Sequence, residues 1–136
     1  MSQSVLDQVP VLSMAELSKA DFAQGFGDSF QRFGFAMVRD HGMDPALIDA
    51  GWTLARDFFA LPEATKRAYD AKYNGGQRGY TAVGTEIAKG ASENDLKEFW
   101  HVGRDLPPGD PLAETMPPNV WPDELPAFHP VFTKLY

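Results

Sequence analysis

Aromatic residues recur at helical spacing in the first quarter of the chain and predict an amphipathic helix. Four phenylalanines at i, i+4, i+8 and i+11 share one helical face: Phe22, Phe26, Phe30 and Phe33. Gly34 follows that face and suits the left-handed conformation that ends a helix. Either of two serine-to-acid spacings could start the helix, Ser13 to Glu16 or Ser18 to Asp21. We expect the phenylalanine face to lie in a core.

Two short apolar runs flank this helix and predict strands. Phe35–Val38 is apolar at every position, which is typical of a strand inside a sheet rather than at a solvent-exposed edge. Val9–Leu12 is also apolar, but Pro10 lacks a backbone donor, so this run is predicted to form an edge strand. The inner strand, Phe35–Val38, is the element around which we expect the other segments to pack.

Proline positions predict the next two helices. Asp44 and Pro45 are a typical N-cap and first helical residue, and the apolar positions that follow predict a helix to about Phe59. Pro62 can start a third, short helix that ends near Tyr69. Both helices precede a glycine-rich segment in which regular structure is less favourable.

The second half of the chain alternates loops and strands. Asn74–Tyr80 contains three glycines and predicts a loop that could face a site. Thr81–Ile87 is predicted to be extended, and Lys89–Asn94 to be a second loop. Asp95–Val102 alternates its faces and predicts a strand. Most of the eleven prolines follow, so an extended surface path is expected up to a last helix that begins near Pro130.

Composition excludes several classes of function. The 19 acidic and 12 basic residues give a net charge of −7, which disfavours binding to nucleic acid or to anionic membranes. The sequence has no cysteine, so it can form neither disulfides nor thiolate metal sites. No signal sequence or apolar run of membrane-spanning length is seen, and we predict a cytoplasmic protein.

Six short segments in a fixed order resemble the N-terminal region of the isopenicillin N synthase-like family of non-haem Fe(II)/2-oxoglutarate-dependent dioxygenases. The likeness spans nearly all of residues 1–136, which we treat as one N-terminal region. The segments are Val9–Leu12, Gly34–Val38 with His41-Gly42, Phe58–Pro62 with Lys66, Arg78–Tyr80, Asp95–Glu98 and Val120–Pro122.

The resemblance implies an α+β fold, in which N-terminal helices pack on strands of a double-stranded β-helix, or jelly-roll, core. It also implies Fe(II) and 2-oxoglutarate as cofactors and a small organic molecule as substrate. The iron motif of the family, His-x-Asp with a later His, and its Arg-x-Ser pair do not occur in this sequence. We therefore expect the remainder of the jelly-roll and the cofactor ligands to lie beyond Tyr136, in a C-terminal catalytic half that this region supports.

Four residues are candidates for contact with a substrate: Arg78, Tyr80, Glu98 and Trp100. Arg78 could bind a carboxylate through two donors, or it could be a solvated loop arginine. Glu98 lies between apolar neighbours and is either paired, with Lys97 or an arginine, or a pocket carboxylate for a cationic substrate. Tyr80 and Trp100 could line a pocket or simply pack in a core.

Two other functions remain open at this stage. The chain could be a stand-alone binding or regulatory module that keeps the scaffold without its chemistry. A metal hydrolase is a weaker alternative, because His41, His101 and His129 lack the paired spacing that metal-binding helices use. We expect His41 to bond backbone in a turn and His129 to be exposed at a helix start.

Overall fold

The computed structural model describes residues 9–70, 76–87, 90 and 92–136. The chain divides into two compact units, Met1–Asp44 and Pro45–Tyr136. Four α-helices and four short strands are assigned in the described residues, in the order β1 Val11–Ser13, α1 Lys19–Phe33, β2 Met37–Arg39, α2 Pro45–Phe59, α3 Glu63–Arg67, β3 Gly79–Thr81, β4 Phe99–His101 and α4 Phe128–Leu135. A short 3₁₀ helix, Pro111–Glu114, interrupts the proline-rich path.

In the first unit, α1 connects two parallel strands. Its start is at Ser18, the second of the two predicted caps, whose hydroxyl oxygen accepts the Asp21 N–H at 3.1 Å. It ends at Gly34, which has φ +80° and donates its N–H to Phe30 O. A Cβ at Gly25 would lie 3.1 Å from Leu12 Cδ2, so this glycine lets α1 approach β1 closely. The predicted helix end and the second predicted start are therefore confirmed.

The predicted burial of this unit is wrong in two places. The second strand begins at Met37 rather than Phe35, and β1 is its only partner strand in the described residues. Phe35 and Met37 are each 40% exposed, because a two-stranded sheet leaves much of its surface open. Phe26 and Phe30 are 37% and 47% exposed, and their rings contact one another 4.8 Å apart instead of lying in a core.

The second unit has an aromatic core. Phe58 of α2 is fully buried, and its ring lies 4.6 Å from that of Trp100 and 5.8 Å from those of Tyr80 and Phe128. The helices α2 and α4 pack together, with Leu135 over Gly51. The contacts of Phe58 with Tyr80 and Trp100 are edge-to-face, a geometry that adds to the stabilisation that burial provides. This core fixes the positions of the helices and strands that carry the candidate site.

The two strands of the second unit pair antiparallel, with Tyr80 opposite Trp100. The strand predicted over Asp95–Val102 is confirmed only at Phe99–His101. The extended segment predicted over Thr81–Ile87 is wrong after Thr81, because the chain turns at Gly84, which has φ +77°. The predicted loop at Asn74–Tyr80 lies partly outside the described residues, and its last two residues belong to β3.

Candidate functional site

A partly buried ion pair extended by a tyrosine lies in the second unit. Lys66 of α3 lies 2.7 Å from Glu98 Oε2 and also donates to the carbonyl oxygen of Phe59 at 3.1 Å. The Tyr80 hydroxyl of β3 donates to the same Oε2 atom. The side chains of Lys66 and Glu98 are only 10% and 26% exposed. We call Lys66, Tyr80 and Glu98 the polar triad.

Sequence order and strand geometry explain how the triad assembles. Glu98 immediately precedes β4 and is two residues before Trp100, the spacing at which side chains of an extended chain lie on one side. Trp100 is the cross-strand partner of Tyr80, and directly opposed residues share a face. The short helix α3 brings Lys66 against this face. The tyrosine and the carboxylate therefore meet because of the strand register, and the lysine meets them because of helix packing.

The triad keeps the Glu98 carboxylate ionised. Burial alone would raise the pKa of Glu98, but the hydrogen bonds from Lys66 and Tyr80 and the lysine charge outweigh burial and leave that pKa below its usual value. Burial, followed by the hydrogen bond to Glu98, raises the pKa of the Tyr80 phenol. The tyrosine therefore remains a donor, and the carboxylate remains an acceptor, across the ordinary pH range.

A cleft of about 340 Å³ opens beside the triad. It is lined by Glu63, Lys66, Arg67, Tyr80, Val83 and Glu98. Arg67 and Glu63 form an exposed ion pair at its rim, 2.6 Å apart. Among the described residues nothing bonds to Oε1 of Glu98, since both contacts of this carboxylate are made by Oε2. As far as the described residues go, the cleft therefore contains one carboxylate oxygen that can accept a further hydrogen bond.

The four sequence candidates are not all brought to this cleft. Tyr80 and Glu98 line it, whereas Trp100 packs behind them in the aromatic core, where its Nε1 atom is buried without a hydrogen-bond partner in the described residues. Glu98 is paired, as expected for one of its alternatives, but with Lys66. The predicted partner Lys97 instead contacts Glu86 and Asp95.

Arg78 is buried away from the cleft. It is 8% exposed, so the alternative of a solvated loop arginine is wrong. Its Nη1 donates to Gln77 O at 2.6 Å, and its guanidinium lies so close to Gly103 that a Cβ there would be 2.0 Å from Cζ. Its Nε is buried without a partner among the residues that the structure describes. One polar edge of the guanidinium thus has unused donor capacity.

Asn119 holds a backbone segment of the second unit, a role that no sequence pattern indicated. Its side-chain amide accepts the Gly103 N–H and donates to Gly103 O, both at 2.8 Å, and it also donates to Asp105 at 2.6 Å. This pairing fixes the backbone that lies against Arg78. The only signal in the sequence was a polar residue within the proline-rich path, which is compatible with many roles.

The histidines show no arrangement for metal binding in the described part of the chain. His41 Nδ1 accepts the Met43 N–H at 3.1 Å, as predicted for a turn, and His101 Nδ1 lies 2.7 Å from Gly76 O. His129 is exposed and stacks on Trp121. Within residues 9–70, 76–87, 90 and 92–136, no three His, Asp or Glu side chains are grouped so that they could hold a metal ion.

A family model described as non-haem dioxygenase in morphine synthesis, N-terminal, matches residues 9–124. The chain belongs to this family of dioxygenase N-terminal regions. The resemblance drawn from its short motifs is confirmed.

Relatives of this dioxygenase region are longer proteins. Proline hydroxylase buaE of Petromyces alliaceus is 30% identical over 96% of this chain and 41% of its own length. Naringenin,2-oxoglutarate 3-dioxygenase of Matthiola incana is 33% identical over 68% of this chain and 27% of its own length. The chain therefore spans less than half of the curated relatives that it matches.

Solved structures give the same result. A protein of the 2OG-Fe(II) oxygenase family from Caulobacter crescentus, solved at 1.44 Å, is 49% identical, with a TM-score of 0.79 over 94% of this chain and 42% of its own. A full-length Neurospora crassa protein, solved in complex with alpha-KG, has a TM-score of 0.69 at 23% identity over 93% of this chain and 41% of its own, a likeness that concerns the fold alone. The mixed helix and strand fold predicted for this region is confirmed.

Proposed function

We propose that this chain is the N-terminal part of a 2-oxoglutarate- and Fe(II)-dependent oxygenase that acts on a small organic substrate. The observation that carries the proposal is the 49% identity to a 2OG-Fe(II) oxygenase family protein over 94% of the chain. The family match over residues 9–124 points the same way. The helices and strands would support a jelly-roll core, and the cleft beside the polar triad would form part of the substrate-pocket wall.

The described residues do not fit a resident iron site, because no group of three possible ligands is present among them. We therefore place Fe(II) and 2-oxoglutarate on other parts of the full-length protein, and assign no chemical step to the residues of this chain. The two cofactors together would supply the oxidising power, since oxygen chemistry of this kind is carried out by the cofactor. The contribution of this chain is to hold and orient the substrate.

The candidates from the sequence take different places in this proposal. Glu98 would contact the substrate, because it lines the cleft and keeps part of its surface exposed, and Tyr80 would hold Glu98 in place through its hydroxyl group. Trp100 would support them from the core. Arg78 would bind an acceptor through its unused Nε edge, which could belong to the substrate or to another segment of the full-length protein.

The names of the relatives suggest the range of substrates. Naringenin, proline and 5-formyluracil, which occur in the names or titles of matched proteins, are all small organic molecules.

A non-catalytic binding module receives no support, since the reported relatives are named as oxygenases or hydroxylases. Nucleic acid is a poor ligand for a chain of net charge −7. No helix in the described part of the chain is long and apolar enough to cross a membrane. A cytoplasmic location stays a prediction.

The test is succinate formation by the full-length protein that contains this chain. The purified protein is supplied with Fe(II) and 2-oxoglutarate, with and without naringenin, L-proline or 5-formyluracil, and succinate is quantified by mass spectrometry. We expect succinate in amounts that depend on both iron and protein. Residues 1–136 alone, tested in parallel, are expected to form none. Full-length protein that forms no more succinate than a heat-inactivated sample would refute the proposal.

A further inference from the structure

The unused oxygen of Glu98 indicates what kind of group the cleft can bind. Oε2 accepts hydrogen bonds from both Lys66 and Tyr80, while Oε1 has no partner among the described residues. The side chain keeps 26% of its surface exposed and lines the cleft. A carboxylate oxygen accepts hydrogen bonds and cannot donate them. A ligand that approaches Oε1 must therefore present an N–H or O–H group.

Charge balance in the cleft disfavours an ionic ligand. The carboxylate of Glu98 is neutralised by Lys66, whose ammonium also donates to Phe59 O. At the rim, Arg67 is neutralised by Glu63. The charged residues that line the cleft thus form two ion pairs, and their charges sum to zero. A cationic ligand would compete with Lys66 for Glu98, and an anionic ligand would meet the carboxylate that it must approach.

We propose that Glu98 determines substrate specificity by accepting a hydrogen bond, through Oε1, from an uncharged N–H or O–H group of the substrate. Lys66 and Tyr80 are positioning residues, since both hold Oε2 and so fix the direction of Oε1. This inference rests on the proposed function, because it assumes that the cleft faces the substrate. Under this proposal the cleft favours an uncharged substrate over the cationic one that the sequence left open.

Glu98→Gln is the most informative substitution. The amide oxygen can keep the contacts with Lys66 and Tyr80, while the amide nitrogen replaces Oε1 and turns an acceptor into a donor. Glu86→Gln is the matched control, because Glu86 belongs to an exposed Lys–Glu pair outside the cleft. Urea unfolding of both variants shows whether they fold.

The assay measures succinate formation by the full-length protein with matched probes. The uncharged probes are 5-formyluracil and naringenin, each compared with its fully N- or O-methylated derivative, and tyramine and benzoate are the charged probes. Hydrogen bonds to a charged group contribute about 1.5–3 kcal/mol. We therefore expect Glu98→Gln to raise the KM of a stimulating donor probe by about tenfold to a hundredfold. Glu86→Gln should change it by less than about twofold, and the KM for 2-oxoglutarate serves as an internal reference.

Several outcomes would overturn the inference. One is that a methylated or charged probe stimulates succinate formation as strongly as the donor probes do. Another is that neither donor probe stimulates it. A third is that the KM of the stimulating donor probe is the same for the wild type and for Glu98→Gln. The proposed function fails separately, if the wild-type protein forms no succinate from 2-oxoglutarate with or without a probe. A crystal structure of the full-length protein is a second measurement. Oε1 open to the substrate pocket would support the inference, and Oε1 bonded to a protein donor would overturn it.

Discussion

Substitution of Lys66 tests how much the polar triad stabilises the fold. In Lys66→Met the methionine side chain largely fills the space of the apolar lysine stem, but Glu98 loses its counter-ion and Phe59 O loses a donor. Breaking a fully buried pair by removing one partner costs about 3–5 kcal/mol. Glu98 is 26% exposed, so water can compensate in part, and we expect a loss of about 2–3 kcal/mol in the free energy of unfolding.

The double variant Lys66→Met/Glu98→Met separates the pair from its surroundings. Replacing both partners by apolar groups leaves no uncompensated carboxylate, and it should cost less than the sum of the two single changes. For residues in contact, such coupling is about 0.5–3 kcal/mol. The assay is urea unfolding of the full-length protein, with stability compared at equal slope of the transition.

The stability difference between the wild type and Lys66→Met should depend on pH, and the pKa of Glu98 gives the direction of that dependence. In the wild type the pKa of Glu98 is below its value in the unfolded chain, so its contribution is complete above about pH 4.5 and is lost as the pH falls through the folded-state pKa. Without Lys66 that pKa is higher than in the wild type, because only the Tyr80 hydrogen bond then opposes burial, and protonation in acid relieves the variant. The stability difference should therefore shrink between pH 7 and pH 4. Additive single effects, or a difference independent of pH, would refute the reasoning.

Three further changes test the packing of the chain by unfolding of the full-length protein. Gly103→Ala should cost about 1–3 kcal/mol, because its Cβ would overlap the Arg78 guanidinium; a neutral result would show that this contact is loose. Phe58→Ala should cost about 3–5 kcal/mol, whereas Trp52→Ala, at a residue 69% exposed on the same helix, should stay within about 0.5 kcal/mol. Ser18→Ala should cost about 1 kcal/mol and Ser18→Asp should not; equal losses would remove the capping role.

The candidate site was predictable in part. Strand alternation predicted Glu98 and Trp100 on one side, and one of the two alternatives for Glu98, a paired carboxylate, is what the structure has; its contact with Tyr80 was not predicted. The predicted partner cation was wrong: Lys97 is adjacent in sequence but contacts Glu86 and Asp95, whereas Lys66 is 32 residues away and belongs to a separate helix. The sequence shows which charged residues are close to a carboxylate along the chain, but it does not show which distant residue the folded chain packs against that carboxylate.

Burial was the property least accessible to sequence reasoning. The spacing of Phe26 and Phe30 correctly indicated that they share one helical face. It could not show whether another element covers that face. Arg78 presents the reverse case, since a charged residue on a glycine-rich loop is usually solvated and here is almost fully buried. Both outcomes depend on the neighbours that the folded chain supplies.

The sequence by itself determined the local features of this protein: the Gly34 helix end, the helix start at Pro45 and the family to which the chain belongs, and it limited the cap of the first helix to Ser13 or Ser18. These depend on interactions within a few residues, or on motifs that can be compared directly. The tertiary structure decided which cation neutralises Glu98, which of its oxygens accepts both hydrogen bonds, and which aromatic residues form the core. The physical reason is that pairing and burial depend on surfaces brought together from distant parts of the chain, and local preference does not specify them.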